Sequence, residues 1–554
     1  MYSNHLSVNI LTALLVKHGV RHAVVCPGSR NAPIVHNLNE CPDISCYPVT
    51  DERSAGFYAL GMSLCLDEPV VVCVTSGTAL LNLLPAVAEA YYQHSRLIVV
   101  SADRPPQWID QLDGQTLPQY GALGRFVGKA VSLPEVSVGD EETHWYCNRL
   151  VNEALLVSHV PVHINVPISE PLFDFSVESL PQERKIELQE PDGIDNIREA
   201  IAARIAQAQR PMVVIGQLHR GSLQTHEIDA LQSEGLLVVC ESLAVDNCAN
   251  HFDEVICMTE SDEAYAPDFV LYVGRTVVSK RLKTFLRKSG AEVWHVNADG
   301  CVQDVFGHLT KVIACPEGQL GSVLPRVSVP PAFSSLWMDM EKRAVQKSRD
   351  YVPAYSQMAA VKCFESRLDQ APQSQVPPLY NSYFHYANST AVRLANIYAC
   401  YGHYVYCNRG VNGIEGSLST AAGFSLVTDE KVFCVIGDLS FFYDQNALWN
   451  QNLQGNLRIL LLNNGKGGIF NQLNGLEKSP ARDRLVAGQH ATTAEGICRQ
   501  NNIDYASAHN EAEMQQGIDR LLRTEAPRPM LLEVFTDSDV DAATVKDYYR
   551  QLKG

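Results

Sequence analysis

The stretch VIGDLSFFYDQNALWNQNLQGNLRILLLNNGKGG, residues 435–468, contains two apolar runs that each end in polar residues. The first run ends in Gly437 and Asp438, and the second ends in Asn463 and Asn464. Two such runs joined by a helical segment form a βαβ unit, whose parallel strands have their carboxyl ends at one edge of the sheet. We therefore expect the acid and the amides to lie close together.

Similar apolar runs recur along the chain, among them HAVVCPG, PVVVCVTSG, RLIVVSADRPP, VPVHINVP, PMVVIGQ, FVLYVG and EVWHVNAD. They are rich in Val and Ile and are bounded by Gly, Pro or Asp, which is typical of parallel strands covered by helices on both faces. They predict an α/β fold of three domains, each a mainly parallel sheet flanked by helices. Polar, Pro-containing stretches separate the domains, for which we predict the bounds 1–180, 181–352 and 353–554.

The composition excludes several classes of protein. The chain has 554 residues, of which 46% are hydrophobic, and a net charge of −18, so it lacks the basic excess of a nucleic-acid binder. No run of apolar residues is long enough to predict a membrane span. The N-terminal segment has a helical period rather than a signal-peptide core, and the 16 cysteines form no CxxC pair. These features predict a cytoplasmic protein with reduced thiols.

The polar residues after the two runs predict a metal site. A carboxylate, an amide oxygen and a loop carbonyl are the hard oxygen donors that suit Mg²⁺. The nearby glycines let the backbone approach an anion such as a diphosphate. The alternative is that Asp438 caps a helix and that Asn463 and Asn464 form a polar turn. The occurrence of both at strand ends, one βαβ unit apart, favours the metal site.

This module resembles the cofactor signature of the thiamin diphosphate enzymes. The resemblance implies thiamin diphosphate with Mg²⁺ or Mn²⁺, bound by the side chains of Asp438 and Asn464 and by the carbonyl of Lys466. The chain departs from the general pattern at Leu439, which replaces a glycine, and at Lys466. A backbone ligand tolerates a change of side chain, so the second departure leaves the metal site intact.

The family also places a glutamate against the pyrimidine ring of the cofactor. The segment TDERSAGFYALG offers Glu52 before a helix with small residues, although Asp51, Glu52 and Arg53 could equally form an exposed cap. The two halves of a site come from two chains in this family, so the resemblance implies a homodimer or homotetramer. It makes the N-terminal domain pyrimidine-binding and the C-terminal domain diphosphate-binding. The residues that it assigns to the cofactor are Ser76, Gly77, Thr78, Asn82, Ser389, Ile414, Gly437, Asp438, Leu439, Asn464 and Ile469.

Arginines in the motifs PGSR, ADRPP, SKRL, NS-x3-R and NRG point to the substrates. Taken singly, each arginine is a surface or ion-paired residue. Taken together, they repeatedly follow apolar runs in an acidic chain, and the planar guanidinium binds carboxylates with two hydrogen bonds. The pattern therefore predicts substrates that carry several carboxylates.

With TDER, TSGTA and the metal module, these motifs resemble the MenD family, the 2-succinyl-5-enolpyruvyl-6-hydroxy-3-cyclohexene-1-carboxylate (SEPHCHC) synthases of menaquinone biosynthesis, over essentially the whole chain. The resemblance implies a transferase that decarboxylates 2-oxoglutarate and adds the resulting carbanion to isochorismate by conjugate addition, giving SEPHCHC and CO₂. The residues that it assigns to substrate are Ser29, Arg30, Arg104, Gln115, Lys280, Arg281, Ser389, Arg393, Arg409, Phe470 and Leu473.

Several alternatives stay open at this point. Ser389 could be a helix cap only, and Ile469, Phe470 and Leu473 could be ordinary core residues. The enzyme could be another thiamin diphosphate-dependent decarboxylase or carboligase, such as an acetohydroxyacid synthase. A non-catalytic nucleotide-binding or scaffold protein is a third hypothesis. The central domain lacks the sequence G-x-G-x-x-G after its strands, which argues against FAD or NAD.

Overall fold

The computed structural model describes the chain except residues 158, 187–193, 247–249, 260–261, 370–380, 400–402, 473–474 and 554. Its described residues form three sheets in succession, and all of the strand pairs within these sheets are parallel. This confirms the α/β fold with helices packed against each sheet. Among the described helices, none is both long and apolar enough to cross a membrane.

The N-terminal sheet has six strands in the order β2-β1-β3-β4-β6-β5. The strands are β1 (His22–Val25), β2 (Ser45–Pro48), β3 (Val70–Val74), β4 (Leu97–Asp103), β5 (Lys129–Ser132) and β6 (Val162–Pro167). The helices are α1 (Leu6–Lys17), α2 (Ala32–Glu40), α3 (Glu52–Leu66), α4 (Thr78–Asn82), α5 (Leu84–Gln93) and α6 (Glu141–Leu155). The predicted site residues of this domain follow β1, β2, β3 and β4, at the carboxyl edge of the sheet.

The central sheet has five strands in the order β11-β10-β9-β7-β8. The strands are β7 (Pro211–Ile215), β8 (Leu237–Cys240), β9 (Phe269–Val273), β10 (Glu292–Asn297) and β11 (Leu309–Ala314). The helices are α7 (Ile194–Gln207), α8 (Thr225–Ser233), α9 (Phe252–Thr259), α10 (Lys280–Ser289), α11 (Leu320–Val323) and α12 (Ala332–Asp350). The SKRL motif therefore begins α10, just after β9.

The C-terminal sheet has six strands in the order β13-β12-β14-β15-β17-β16. The strands are β12 (Tyr383–Tyr386), β13 (Val405–Tyr406), β14 (Val432–Gly437), β15 (Leu457–Asn463), β16 (Asp504–Ala508) and β17 (Met530–Phe535). The helices are α13 (Gln357–Asp369), α14 (Thr390–Tyr398), α15 (Ser417–Ser425), α16 (Asp438–Tyr443), α17 (Glu495–Gln500), α18 (Glu511–Arg523) and α19 (Ser538–Lys553). Each of the three sheets falls within one predicted domain range, and the boundary residues themselves stay predictions.

Helices α3 and α15 join the N-terminal and C-terminal domains at backbone distance. A Cβ atom added to Gly61 would lie 2.0 Å from the carbonyl oxygen of Thr420, and one added to Gly423 would lie 2.3 Å from that of Tyr58. One apolar core continues through both domains around this contact. Since α3 begins at Glu52, the contact ties the position of this acid to the C-terminal domain.

Candidate active site

Asp438 and Asn464 lie together at the carboxyl edge of the C-terminal sheet. Gly437 pairs with Leu462 across β14 and β15, so the chain leaves both strands at the same edge. The Oδ2 atom of Asp438 accepts hydrogen bonds from the backbone N–H groups of Asn464 at 3.1 Å and Gly465 at 2.8 Å. The carboxylate is therefore in direct contact with the loop that carries the amides.

The residues present fit a divalent cation with a bound diphosphate. The Nδ2 atom of Asn464 donates a hydrogen bond to Asp541 at 2.8 Å. This bond fixes the amide group, and the Oδ1 atom of Asn464 points away from Asp541. A Cβ atom added to Gly437 would meet nothing within 4 Å, so there is open space beside the strand end. The described residues contain no cluster of three or more His, Cys, Asp or Glu suited to a metal. One carboxylate with neutral oxygens is the set that Mg²⁺ completes with phosphate oxygens.

The side chain of Lys466 points to carboxylates on two other segments. Its Nζ atom lies 3.1 Å from Asp483 Oδ1 and 3.8 Å from Asp539 Oδ1. The backbone of the same loop is held by the segment that follows Asp483, because Gly467 donates its N–H to the Ala487 carbonyl at 2.7 Å. The ammonium group is thus engaged in ion pairs that hold the loop, which accounts for a lysine at this position.

His490 lies beside Asp438 and was not predicted from the sequence. Its Nε2 atom is 3.4 Å from Asp438 Oδ2, and its backbone N–H donates to the Gly465 carbonyl at 2.8 Å. The residue lies far beyond the metal module in the sequence and is part of no motif. Only the return of the chain to the Gly465 loop shows its place in the site.

The apolar residues predicted around the cofactor differ in exposure. Leu439, Ile469 and Phe470 are half-buried near the strand end, whereas Ile414 is 43% exposed. Leu473 lies outside the described residues. Within one chain, therefore, Ile414 is a surface residue that another group could cover.

Glu52 is the first residue of α3, and the capping function belongs to its neighbour. The Oδ1 atom of Asp51 accepts hydrogen bonds from the backbone N–H groups of Arg53 at 2.9 Å and Ser54 at 3.3 Å. The Glu52 carboxylate instead accepts a hydrogen bond from the Asn82 side chain at 3.2 Å. Asp51 is thus the residue that caps the N-terminus of α3, and the Glu52 carboxylate remains available for another function.

The turn at Ser76, Gly77 and Thr78 needs a glycine. Gly77 has a φ of +85°, and a Cβ atom added to it would lie 3.2 Å from the backbone oxygen of Gln115. Its N–H donates to the side chain of Gln119 at 2.6 Å. The loop of Gln115 therefore packs directly on this turn.

Gln119 holds the Gly77 turn in place and was not predicted from the sequence. Its buried side chain also donates from Nε2 to the Ala102 carbonyl at 3.1 Å and to Asn165 Oδ1 at 2.8 Å. Asn165 in turn donates to Asp103 at 2.9 Å, next to Arg104. This network fixes the Gly77 turn and the start of the Arg104 loop against one another. A glutamine in a polar loop carries no local signal of such a contact.

Arg30 and Arg104 form one basic group at the edge of the N-terminal sheet, and the exposed Ser29 precedes Arg30. Arg30 donates to the Ile168 carbonyl at 2.9 Å and to Glu170 at 3.3 Å, while Arg104 lies 3.9 Å from the same Glu170 carboxylate. Burial lowers the pKa of Arg30, and the positive charge of Arg104 lowers it further. Arg104 also forms an ion pair with Asp113 at 3.4 Å, so the described carboxylates Glu170 and Asp113 balance the two guanidinium groups.

Arg393 and Arg409 form a second basic group in the C-terminal domain. Burial lowers the pKa of Arg393, and the charge of Arg409 adds to this effect. Arg409 donates to Asn388 Oδ1 at 3.1 Å, while its buried Nε atom has no hydrogen-bond acceptor among the described residues. Ser389 has a φ of +77° at the start of α14, and its side chain makes no capping bond. Such backbone strain is typical of functional sites.

The SKRL motif contains one exposed basic side chain and one that is held in an ion pair. Lys280 is exposed at the start of α10, whereas Arg281 forms an ion pair with Asp253 and lies over the Tyr549 ring at 4.2 Å. The preceding segment is anchored by the buried Glu241, which accepts from the backbone N–H groups of residues 278 and 279. Of this pair, Lys280 is thus the freer to meet a substrate.

Glu52 makes no direct contact with Asp438 or Asn464 in the described part of the chain. Glu52 lies with the group of the N-terminal domain, and Asp438 and Asn464 lie with that of the C-terminal domain. No hydrogen bond or ion pair among the described residues joins Glu52 to Asp438 or Asn464. Contacts between the two domains near Glu52 run instead through Asp51, which accepts from the Asn446 side chain at 2.8 Å.

Comparison with known proteins defines the class. Residues 7–121 match the N-terminal TPP binding domain of thiamine pyrophosphate enzymes, and residues 388–534 match their C-terminal TPP binding domain. The fold and these two matches are those of a thiamine pyrophosphate enzyme.

Full-length relatives are more specific. The chain is 43% identical to the 2-succinyl-5-enolpyruvyl-6-hydroxy-3-cyclohexene-1-carboxylate synthase of Bacteroides thetaiotaomicron, with 100% of both chains covered. It is 42% identical to that of Phocaeicola vulgatus and 33% identical to that of Porphyromonas gingivalis, covering 99% and 98% of those proteins and 100% of this chain. The chain therefore belongs to the family of these synthases.

Proposed function

We propose that the protein is the thiamin diphosphate-dependent transferase that converts 2-oxoglutarate and isochorismate to SEPHCHC and CO₂ in menaquinone biosynthesis. The observation that carries the proposal is the presence of two arginine pairs, Arg30 with Arg104 and Arg393 with Arg409, in an acidic chain that has both cofactor-binding domains. Both substrates are dicarboxylates, and the planar guanidinium group of arginine binds a carboxylate with two hydrogen bonds.

The cofactor is thiamin diphosphate, held through Mg²⁺ or Mn²⁺. Asp438 and Asn464 would bind the metal by their side chains, and Lys466 by its carbonyl. Glu52 would lie against the pyrimidine ring, near the turn of Ser76 and Gly77. The bound cofactor supplies a carbanion at its thiazolium carbon. The apolar side chains of Leu439, Ile414, Ile469 and Phe470 would exclude water around it.

The two arginine groups have separate tasks in this proposal. Arg30 and Arg104, with Ser29 and Gln115, would hold one dicarboxylate at the edge of the N-terminal sheet. Arg393 and Arg409, with Ser389 and Lys280, would hold carboxylates at the edge of the C-terminal sheet. Orienting two substrates in this way replaces a bimolecular encounter by a reaction between bound groups. Arg281 would support Lys280 from its ion pair with Asp253.

The active form is a homodimer with sites between the chains, alone or as part of a tetramer in the cytoplasm. Support comes from the family resemblance, in which the two halves of a site come from two chains. It also comes from the exposed fractions of Ile414, Tyr443 and Trp449, which are 43%, 52% and 58%. We expect a second copy of the chain to cover these large apolar side chains.

Product analysis by mass spectrometry tests the activity. Purified protein with both substrates, thiamin diphosphate and Mg²⁺ is expected to form SEPHCHC, and Glu52→Gln is expected to reduce the rate by about 100-fold or more. Glu40→Gln, at the opposite edge of the sheet, serves as the matched control. Steady CO₂ release without isochorismate would indicate a simple decarboxylase instead. Full activity in Glu52→Gln would contradict the assignment of this residue.

A further inference from the structure

The loop that carries Arg409 is held by an acid from the other cofactor domain. Glu89 lies in α5 of the N-terminal domain and is only 3% exposed. Its Oε1 atom accepts the backbone N–H of Gly410 at 2.8 Å, and its Oε2 atom accepts that of Val411 at 2.7 Å. Gln93, one turn further along α5, donates to Oε1 at 2.7 Å. One carboxylate thus binds two consecutive amides that directly follow Arg409.

The contact leaves little freedom for the loop. A Cβ atom added to Gly410 would lie 2.8 Å from the Glu89 carbonyl oxygen and 2.9 Å from Tyr92 Cβ. Only a residue without a side chain can therefore bring the loop this close to α5. A carboxylate that accepts charge-assisted hydrogen bonds holds its donors more firmly than a neutral acceptor does.

Arg409 has the features of a group that awaits an anion. The residue is only 7% exposed, and its Nε atom has no hydrogen-bond acceptor among the described residues. Asn388 accepts a hydrogen bond from its NH1 atom at 3.1 Å. A buried donor without an acceptor is costly unless a ligand satisfies it. The direction of this donor depends on the backbone position that Glu89 sets.

We propose that Glu89 is a positioning residue that fixes Arg409 for binding a substrate carboxylate. The inference rests on the proposed function, in which Arg409 binds substrate. Glu89 itself does not touch the substrate. It fixes a cation of the C-terminal domain relative to the N-terminal domain of the same chain.

Glu89→Gln separates this function from a general effect on stability. The amide keeps one acceptor oxygen, but its NH₂ group faces the N–H of Val411 or Gly410, and two donors cannot pair. The expected result is a rise of about tenfold in the KM of one substrate, with a smaller change in kcat. The substrate affected is expected to be the one whose KM rises in Arg409→Lys.

Glu183→Gln is the matched control for stability. Glu183 is also a buried acid whose two oxygens are hydrogen-bonded, to His144 at 2.7 Å and Asn148 at 2.6 Å, and it lies outside the predicted site. This variant is expected to lower the Tm without changing either KM. Where Glu89→Gln does not fold, Gly410→Ala tests the same contact, because its Cβ displaces the loop from α5.

A double-mutant cycle decides the inference. If Glu89 acts through Arg409, the fold increase in KM of the double variant Glu89→Gln/Arg409→Lys is expected to be well below the product of the fold increases of the two single variants. Fold increases in KM that simply multiply would overturn the inference. A Glu89→Gln variant with a lowered Tm and unchanged KM values, as expected for Glu183→Gln, would also overturn it. Unchanged KM values in Arg409→Lys would instead refute the substrate assignment of Arg409, which belongs to the proposed function.

Discussion

Replacing Lys466 by methionine tests how the loop at the proposed metal site is held. The ammonium group is 3.1 Å from Asp483 and 3.8 Å from Asp539, and the Lys466 side chain is 10% exposed. Methionine keeps most of the apolar length of the side chain and removes the charge. The backbone carbonyl at position 466, which we assign to the metal, is unchanged. The variant therefore reports on the ion pairs alone.

The exposure of the two partners sets the magnitude. The Asp483 side chain is 39% exposed and that of Asp539 is 78% exposed, so solvent screens the second pair almost completely. Pairs of this kind contribute about 0.2–1 kcal/mol, and the largely buried lysine places the first pair near the upper end. A loss of about 1 kcal/mol corresponds to about a fivefold change in an equilibrium constant.

The assay is the concentration of Mg²⁺ and thiamin diphosphate that gives half-maximal activity. Lys466→Met is expected to raise this concentration about fivefold at low salt and to leave the rate at saturation nearly unchanged. The difference should shrink as added salt screens the pairs in the wild type. Lys478→Met, on an exposed lysine of the same segment, is the control.

Two results would refute this reasoning. If Lys466→Met needs a lower concentration of Mg²⁺ and thiamin diphosphate for half-maximal activity, the ammonium group repels the metal rather than holding the loop. An equal effect in Lys478→Met would mean that the net charge of the segment matters and the individual contacts do not.

Three further predictions follow from the site and the central domain. Asp438→Asn is expected to abolish the stabilisation that saturating cofactor and Mg²⁺ give the wild type, about 2.7 kcal/mol at 100 times the Kd, which is measured as a rise in Tm. A normal rise in Tm in this variant would contradict the metal assignment. Trp449→Arg is expected to shift the protein toward monomer in analytical ultracentrifugation, with loss of activity, since Trp449 is 58% exposed in one chain. Burial alone raises the pKa of Glu317, but the charges of Arg275 and His219 outweigh it and bring the pKa to about 2 from 4.5. This lowered pKa stabilises the fold by about 3 kcal/mol above pH 4.5, and the contribution disappears as the pH falls toward 2. The free energy of unfolding in urea should therefore be lower for Glu317→Gln than for the wild type at pH 7, and the two values should converge in acid. A difference that does not depend on pH would refute this account.

The cysteines for which burial sets the thiol pKa lie in the core. Most of the described cysteines are buried. Burial raises the pKa of the Cys73 and Cys498 thiols to about 12, so these groups stay protonated and unreactive at neutral pH. They are core residues rather than participants in the proposed chemistry.

The sequence by itself determined the fold class and the approach of Asp438 to Asn464. Both follow from local rules, since apolar runs bounded by Gly, Pro or Asp form parallel strands, and consecutive strands of a βαβ unit end at one edge. The arginines that follow such runs could be recognised as a set for the same reason. Their pairing, Arg30 with Arg104 and Arg393 with Arg409, could not, because it depends on how the strands are ordered in the sheets.

Only the tertiary structure decided which side chains hold the site in place. Glu89 meets Gly410 across 321 residues, and Gln119 meets Gly77 across 42. Lys466 finds its carboxylates on two other segments, and Asp51 rather than Glu52 caps α3. Contacts between distant segments leave no periodicity or spacing in the sequence, because either partner alone is an ordinary polar residue. They form when packed helices and sheets bring two loops to hydrogen-bond distance, and that packing is a property of the whole chain.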